Sequence, residues 1–277
     1  MSGPTIDQSA DAVGFSWLNQ DGTPTTLTDL VAADPTEAKR WLPTHLEALD
    51  SALVTMAGTF GEILGGGRRP DPEEDLALGA AVSAVDRACR DYASAGVSSG
   101  IRPDTRAGQI IGTAVIMSVR GRASRGMMAP APLDEQLAEP PTGVVGGHAR
   151  LVWADEDTRW RGARWVVETT DGQRLPATLS MLLKDSSGVL TDAARDEHRA
   201  ALKEIVEACG NALIEPIQAS GAVDWLLFDF LMAHRDGPDS GAVELPVTAR
   251  ADARMIISAA AASVELRSRF DPALADT

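Results

Sequence analysis

Residues 223–232 run Val223-Asp224-Trp225-Leu226-Leu227-Phe228-Asp229-Phe230-Leu231-Met232, and the period assigned to them decides the fold class. Ten residues dominated by aromatic and aliphatic side chains read as a buried strand. Strict alternation places Leu226, Phe228, Phe230 and Met232 on one face, and Asp229 on the other with Trp225, Leu227 and Leu231. Ala242 to Val247 follows as its hairpin partner.

Working outward, Thr191 caps a helix whose inner face is His198, Leu202, Ile205, Val206, Cys209 and Leu213, ending before Pro216. Ala149 to Trp153 and Arg164 to Thr170 alternate as strands. Asp171-Gly172 is a two-residue hairpin turn into Gln173 to Lys184, where Pro176 marks an edge or a bulge. Met255 to Arg269 forms a final alanine-rich helix. The expected order β-β-β-α-β-β-α makes residues 148–277 an α+β domain with helices on one face of an antiparallel sheet. In element order alone, over about residues 145–270, it resembles the bacterial secretion chaperones, which implies a fold and little about function.

The N-terminal half has a different period. Residues 1–24 read as a loose arm that Phe15, Trp17 and Leu18 could dock, followed by a helical region over 25–125. Asp34-Pro35-Thr36-Glu37 and Asp71-Pro72-Glu73-Glu74 are two helix starts, each with a capping acid, a proline at the first helical position and a glutamate three residues on. Leu46, Leu49, Leu53, Met56, Phe60 and Ile63 form one apolar stripe, with Pro43 expected to kink or restart that helix. A second stripe holds Leu78, Val82, Val85, Cys89 and Tyr92; a third helix, opened by Pro103-Asp104 and running through Val119, is apolar on nearly all sides. These helices read as a small antiparallel bundle. Residues 126–147, with Pro130, Pro132, Pro140 and Pro141, are the expected linker.

Composition narrows the function classes. At 277 residues and 44% hydrophobic the chain can bury a core. Its longest strongly apolar run, Ile110 to Val119, is far short of the ~20 residues that span a bilayer. The acidic, lysine- and arginine-free stretch Met1 to Asp11 does not read as a signal peptide, so the cytoplasm is the expected compartment. A net charge of −15 disfavours nucleic acid and anionic membrane as partners. Only Lys39, Lys184 and Lys203 among 25 basic residues are lysine, a bias that reads as a GC-rich bacterial genome. Cys89 and Cys209 read as buried free thiols. His45, His148, His198 and His234 are scattered without ligand spacing, so neither a metal nor a cofactor is expected.

Several constellations could carry chemistry. Arg102, Arg106, Arg120, Arg122 and Arg125 stand against one acid, Asp104. Arg106, Arg120, Arg122 and Arg125 are the anion-binding candidates, able to fork onto phosphate or carboxylate, although cations also gather at helix C-termini for the dipole. Gly65-Gly66-Gly67-Arg68-Arg69 follows a helix rather than a strand and reads as a C-cap and connector, not a phosphate loop. Gly108 and Gly112 suit close helix packing. Trp160, between Arg159 and Arg161 and flanked by Trp153 and Trp165, is the interaction candidate. Asp229 with His234 is a possible acid/base pair, unless the carboxylate pairs with an arginine of a facing helix. No serine or cysteine sits in a nucleophile elbow. The expected function is a non-enzymatic protein-interaction module (adaptor, chaperone-like or assembly component) with another protein as partner. The alternative is an enzyme or small-molecule binder holding an anion between the two halves.

Overall fold

The computed structural model describes residues 3–8, 13–127 and 250–268 in full, three further strands by their backbone, and Ala200, Val223, Asp224, Leu227, Phe228, Phe230 and Leu231 as helical positions. A small antiparallel sheet opens the chain: β1 (Thr5–Asp7), β2 (Ser16–Leu18) and β3 (Pro24–Thr25), with β2 in the middle. Then come α1 (Leu27–Ala33), a 3-10 turn (Pro35–Glu37) and the bundle helices α2 (Ala38–Leu64), α3 (Pro72–Ser99) and α4 (Thr105–Ser124). A second antiparallel sheet follows, β4 (His148–Trp153), β5 (Ala163–Glu168) and β6 (Arg174–Ala177), in that spatial order. The last described element is α5 (Arg250–Ser268).

Local chemistry explains the helix boundaries. Asp71 accepts from the N–H groups of Glu73 and Glu74 at 3.0 and 2.9 Å, and the Glu74 carboxylate accepts from Asp71 N–H at 3.0 Å, a complete capping box with Pro72 at the first position. Asp104 caps α4 through Ala107 N–H at 2.9 Å. α3 ends at Gly100, whose φ of 66° is a conformation that favours glycine. Gly65 caps α2 and Gly66 has φ 80°, so the triple glycine is a helix stop, as its position after a helix implies. Pro43 does not break α2; it lies close to the helix start. The break falls instead at Phe60 (φ −118°, ψ 17°), between Gly58 and Gly61.

The expected α+β class and the β-β-β-α-β-β-α order are not what the chain adopts: the described structure is mostly helical, with only small three-stranded sheets. Val223, Asp224, Leu227, Phe228, Phe230 and Leu231, expected in a strand, are helical. Val223, Asp224, Leu227, Phe230 and Leu231 are all buried, a spacing of three and four rather than two. A continuous apolar run matches either period, and ten residues fall between the usual strand and helix lengths. With that strand gone, the likeness in order to secretion chaperones goes too. Ala242 to Val247 lies outside the described residues. Pro176 does sit on an edge strand, paired with Val166 of β5.

One hydrophobic core runs from the N-terminal helices into the C-terminal ones. Leu49, Met56, Ile63, Leu78, Ile111, Ile116 and Leu227 are each under 2% exposed, and Ile256, Ala259 and Ala260 of α5 join the same cluster. α5 packs on both α3 and α4.

Two glycines mark the closest helix approaches. A Cβ on Gly121 would lie 2.6 Å from Val82 Cγ2, a stiff branched side chain that cannot swing away. Gly121→Ala is therefore expected to destabilise by about 1–2 kcal/mol, an overpacking cost larger than the helix-propensity gain. On Gly79 a Cβ would meet the Arg125 guanidinium at 2.6 Å, a flexible tip that can move. Gly79→Ala should therefore be close to neutral, and urea denaturation of the two variants reads the contrast.

Candidate functional site

Four helical segments bring their charges to one buried point. Asp86 comes from α3, Ser118 and Arg122 from α4, Asp224 from the helical positions at 223–231, and Ser263 and Arg267 from α5. Arg122 forks between the two carboxylates, Nη1 to Asp86 at 3.1 Å and Nη2 to Asp224 at 2.7 Å. Arg267 bridges the same pair from the other side, at 2.7 Å to Asp224 and 3.0 Å to Asp86. Ser118 donates to Asp86 at 2.6 Å, and Ser263 donates to Asp224. Two guanidiniums and two carboxylates form a closed, neutral ring. Burial pushes Arg122 below its ordinary value, against the pull of Asp224 and Asp86, yet a guanidinium keeps its proton at any physiological pH. The Arg267 Nε–H is buried without a partner among the described residues.

Chemically this ring is a lock rather than a reaction centre. Asp86, Arg122 and Asp224 are 5%, 7% and 4% exposed, so no substrate reaches them. Cys89, one turn from Asp86, is buried, and burial together with the Asp86 charge pushes its thiol far up, so it is no nucleophile.

A second polar point ties the N-terminal sheet to the bundle. His45 of α2 is 1% exposed. Its Nδ1 accepts from the Trp17 indole N–H at 3.1 Å, which leaves Nε2–H to donate to the Ala88 carbonyl at 3.0 Å. The ring is thus a neutral, fully satisfied tautomer. Phe15 meets it edge-on with ring centroids 4.8 Å apart. Beside it lies a cleft of about 450 Å³ whose walls include Ser16, Thr26, Arg87, Asp91 and Glu265. The Asp91 carboxylate is committed there to the start of α1, accepting from Leu27 N–H and Thr28 N–H at 2.8 and 2.9 Å and from the Thr28 hydroxyl at 2.7 Å.

Burial pushes the His45 pKa below its ordinary 6.5, outweighing the Asp91 charge and the Ala88 carbonyl. The unfolded chain therefore takes up this proton first as pH falls. The stability His45 contributes is complete above about pH 6.5 and is lost below it, by up to about 1.4 kcal/mol per pH unit. Urea denaturation between about pH 7.5 and 5 should show this as a slope that flattens in His45→Gln.

The four anion-binding candidates do not converge. Arg106 is exposed at the start of α4, half-buried Arg120 lies near its end, Arg122 is in the ring, and Arg125 pairs with Asp75 at 2.9 Å. Arg159, Trp160, Arg161, Asp229 and His234 lie outside the described residues; Trp153 and Trp165 are placed by backbone only, in β4 and β5. The sequence patterns do not mark Asp86, Ser118, Asp224, Ser263, Arg267, His45 and Trp17 as a site. One signal existed: Asp86 is four residues after Val82 and three before Cys89, an acid on an apolar stripe. Searches of protein-family models, curated proteins and solved structures give no match to this chain. Among the described residues no group of side chains could hold a metal ion, and no helix is long and apolar enough to cross a membrane.

Proposed function

We propose that this chain is a protein-interaction module of the bacterial cytoplasm, an adaptor or assembly component that docks another protein on the outer face of α2. The observation that carries this reading is the composition of that face. Between Asp50 and Glu62 it bears no charge, in a chain of −15. Ser51, Ala57, Gly58 and Gly61 are exposed, and Val54 is 70% exposed. A Cβ on Gly58 or Gly61 would meet nothing within 4 Å, so apart from the break they flank at Phe60 no contact inside the molecule requires glycine there. Each glycine costs the helix about 1 kcal/mol relative to alanine. Small side chains let a second backbone approach closely, which gives that cost a use in docking. At −15 the chain favours a less acidic partner, so the proposed occupant is a different protein rather than a second copy.

Gly58→Ala is expected to raise stability by up to about 1 kcal/mol in urea denaturation while weakening partner capture. Affinity capture on the tagged full chain, with Val54→Arg and Glu47→Arg in parallel, tests the reading. A protein retained by wild type and Glu47→Arg but lost from Val54→Arg supports it; equal retention by all three refutes it.

A small-molecule binder is the second reading, favoured by the 450 Å³ cleft, where Glu265 of α5 faces Arg87 and Asp91 of α3. A thermal shift with nucleotides, acyl-CoAs or sugar phosphates, absent in Arg87→Gln, would favour it over the first.

A further inference from the structure

A different cleft, at the opposite end of the bundle from the α2 stop, holds cations that the fold leaves unused. It measures about 190 Å³ and lies where the starts of α2 and α4 meet the end of α3. Leu42, Leu46, Tyr92 and Ile101 give it an apolar floor, and Lys39, Arg102 and Arg106 stand on its rim. All three cations are exposed, and none lies within 4.0 Å of a carboxylate among the described residues. Elsewhere Arg40, Arg68, Arg122, Arg125 and Arg267 are each paired with an acid, and exposed cations such as Arg69 and Arg254 stand singly rather than three on one apolar cleft.

A chain with 40 acidic residues has ample means to neutralise three cations on one rim. Among the described residues the single carboxylate lining the cleft, Asp104, already accepts the Ala107 N–H as the cap of α4. The positive ends of two helix dipoles add to the cations, and the N-cap residue of α2, Glu37, makes no side-chain capping bond. The end of α3 subtracts part of that field but not the three formal charges. At physiological salt, charges beyond about 8 Å are screened, so the overall −15 does not cancel the local sign.

We propose that this cleft binds a small organic anion, a carboxylate or phosphate head gripped by Lys39, Arg102 and Arg106 with a short apolar stem on Leu42, Leu46 and Ile101. The site does not depend on the α2 face, and either reading can fail alone. Heteronuclear NMR titration of the full chain tests it with butyl phosphate, butyrate and inorganic phosphate. Saturable binding of butyl phosphate or butyrate is expected, with shifts at Tyr92 and Ile101. Arg102→Gln/Arg106→Gln should weaken it at least about tenfold, as should be so for two lost charge-assisted contacts. Lys39→Gln should weaken it less, and Arg69→Gln, an exposed cation outside the cleft, should leave it unchanged. Because all the substituted side chains are exposed, the fold should survive, which an unchanged far-UV spectrum verifies. The proposal is overturned by no saturable binding of either organic probe, by equal binding in the double variant, or by inorganic phosphate binding as tightly as butyl phosphate.

Discussion

Arg122→Met should destabilise the folded chain by about 3–5 kcal/mol, the usual cost of removing one partner from a buried ion pair. The substitution leaves Asp86 and Asp224 facing each other with Arg267 as their only cation among the described residues, a buried site one charge out of balance. Much of the loss is the penalty for that uncompensated charge rather than the worth of the contacts. Arg122→Met combined with Asp86→Leu removes one charge of each sign and leaves Arg267 on Asp224 with Ser263. The double variant is therefore expected to be more stable than Arg122→Met alone, a strongly non-additive pair. Added salt should rescue little, because the ring is shielded from solvent. Hydrogen exchange gives the spatial signature: α5, held through Arg267 to Asp86 of α3 and to Asp224, should lose protection before α2 does. Urea denaturation showing a loss below about 1 kcal/mol for Arg122→Met would reject the lock.

What the sequence made legible was local. Asp71 and Asp104 announce helix starts because a cap acts on N–H groups two or three residues away. Gly65 to Gly67 announce a stop by backbone conformation alone, whereas α3, whose stop reads from the sequence near Gly96, runs on to Ser99 and ends at Gly100. The apolar stripes of α2 and α3 are long enough for a period of 3.6 to be unambiguous. The segment 223–232 is not, since its side chains are apolar whichever period is applied, and only the buried positions 223, 224, 227, 230 and 231 reveal a helix. The ring was hidden for a different reason. Arg122 meets Asp86 36 residues away and Asp224 102 residues away, distances no local pattern encodes. The arginine cluster misled in the opposite direction. Sixteen residues of helix put Arg106 and Arg122 about 24 Å apart and roughly opposite in direction, so nearness in sequence separated them in space. One of the four candidates, Arg106, does stand in a cationic cleft, but beside Lys39 and Arg102 rather than the other three.

Trp17→Ala is expected to cost about 3–5 kcal/mol, from lost burial alone, and to release the N-terminal sheet from the bundle. Strands of three, three and two residues cannot stand by themselves, so the sheet depends on what anchors it. Trp17, on the central strand and 3% exposed, is that anchor, with its indole N–H on His45. Trp17→Phe separates the two contributions: most of the packing stays, His45 Nδ1 loses its donor, and about 1–3 kcal/mol should be lost. The pH dependence separates them further. In Trp17→Ala water reaches the imidazole, burial no longer holds its pKa down, and the loss of stability below about pH 6.5 should shrink. Trp17→Phe keeps the ring dry and should keep the slope. Urea denaturation at about pH 7.5 and 5.5 reads both variants. If Trp17→Ala retained the full wild-type slope, the shielding of His45 would have to come from α2 and α3 alone, and Trp17 would be only a weight of buried surface.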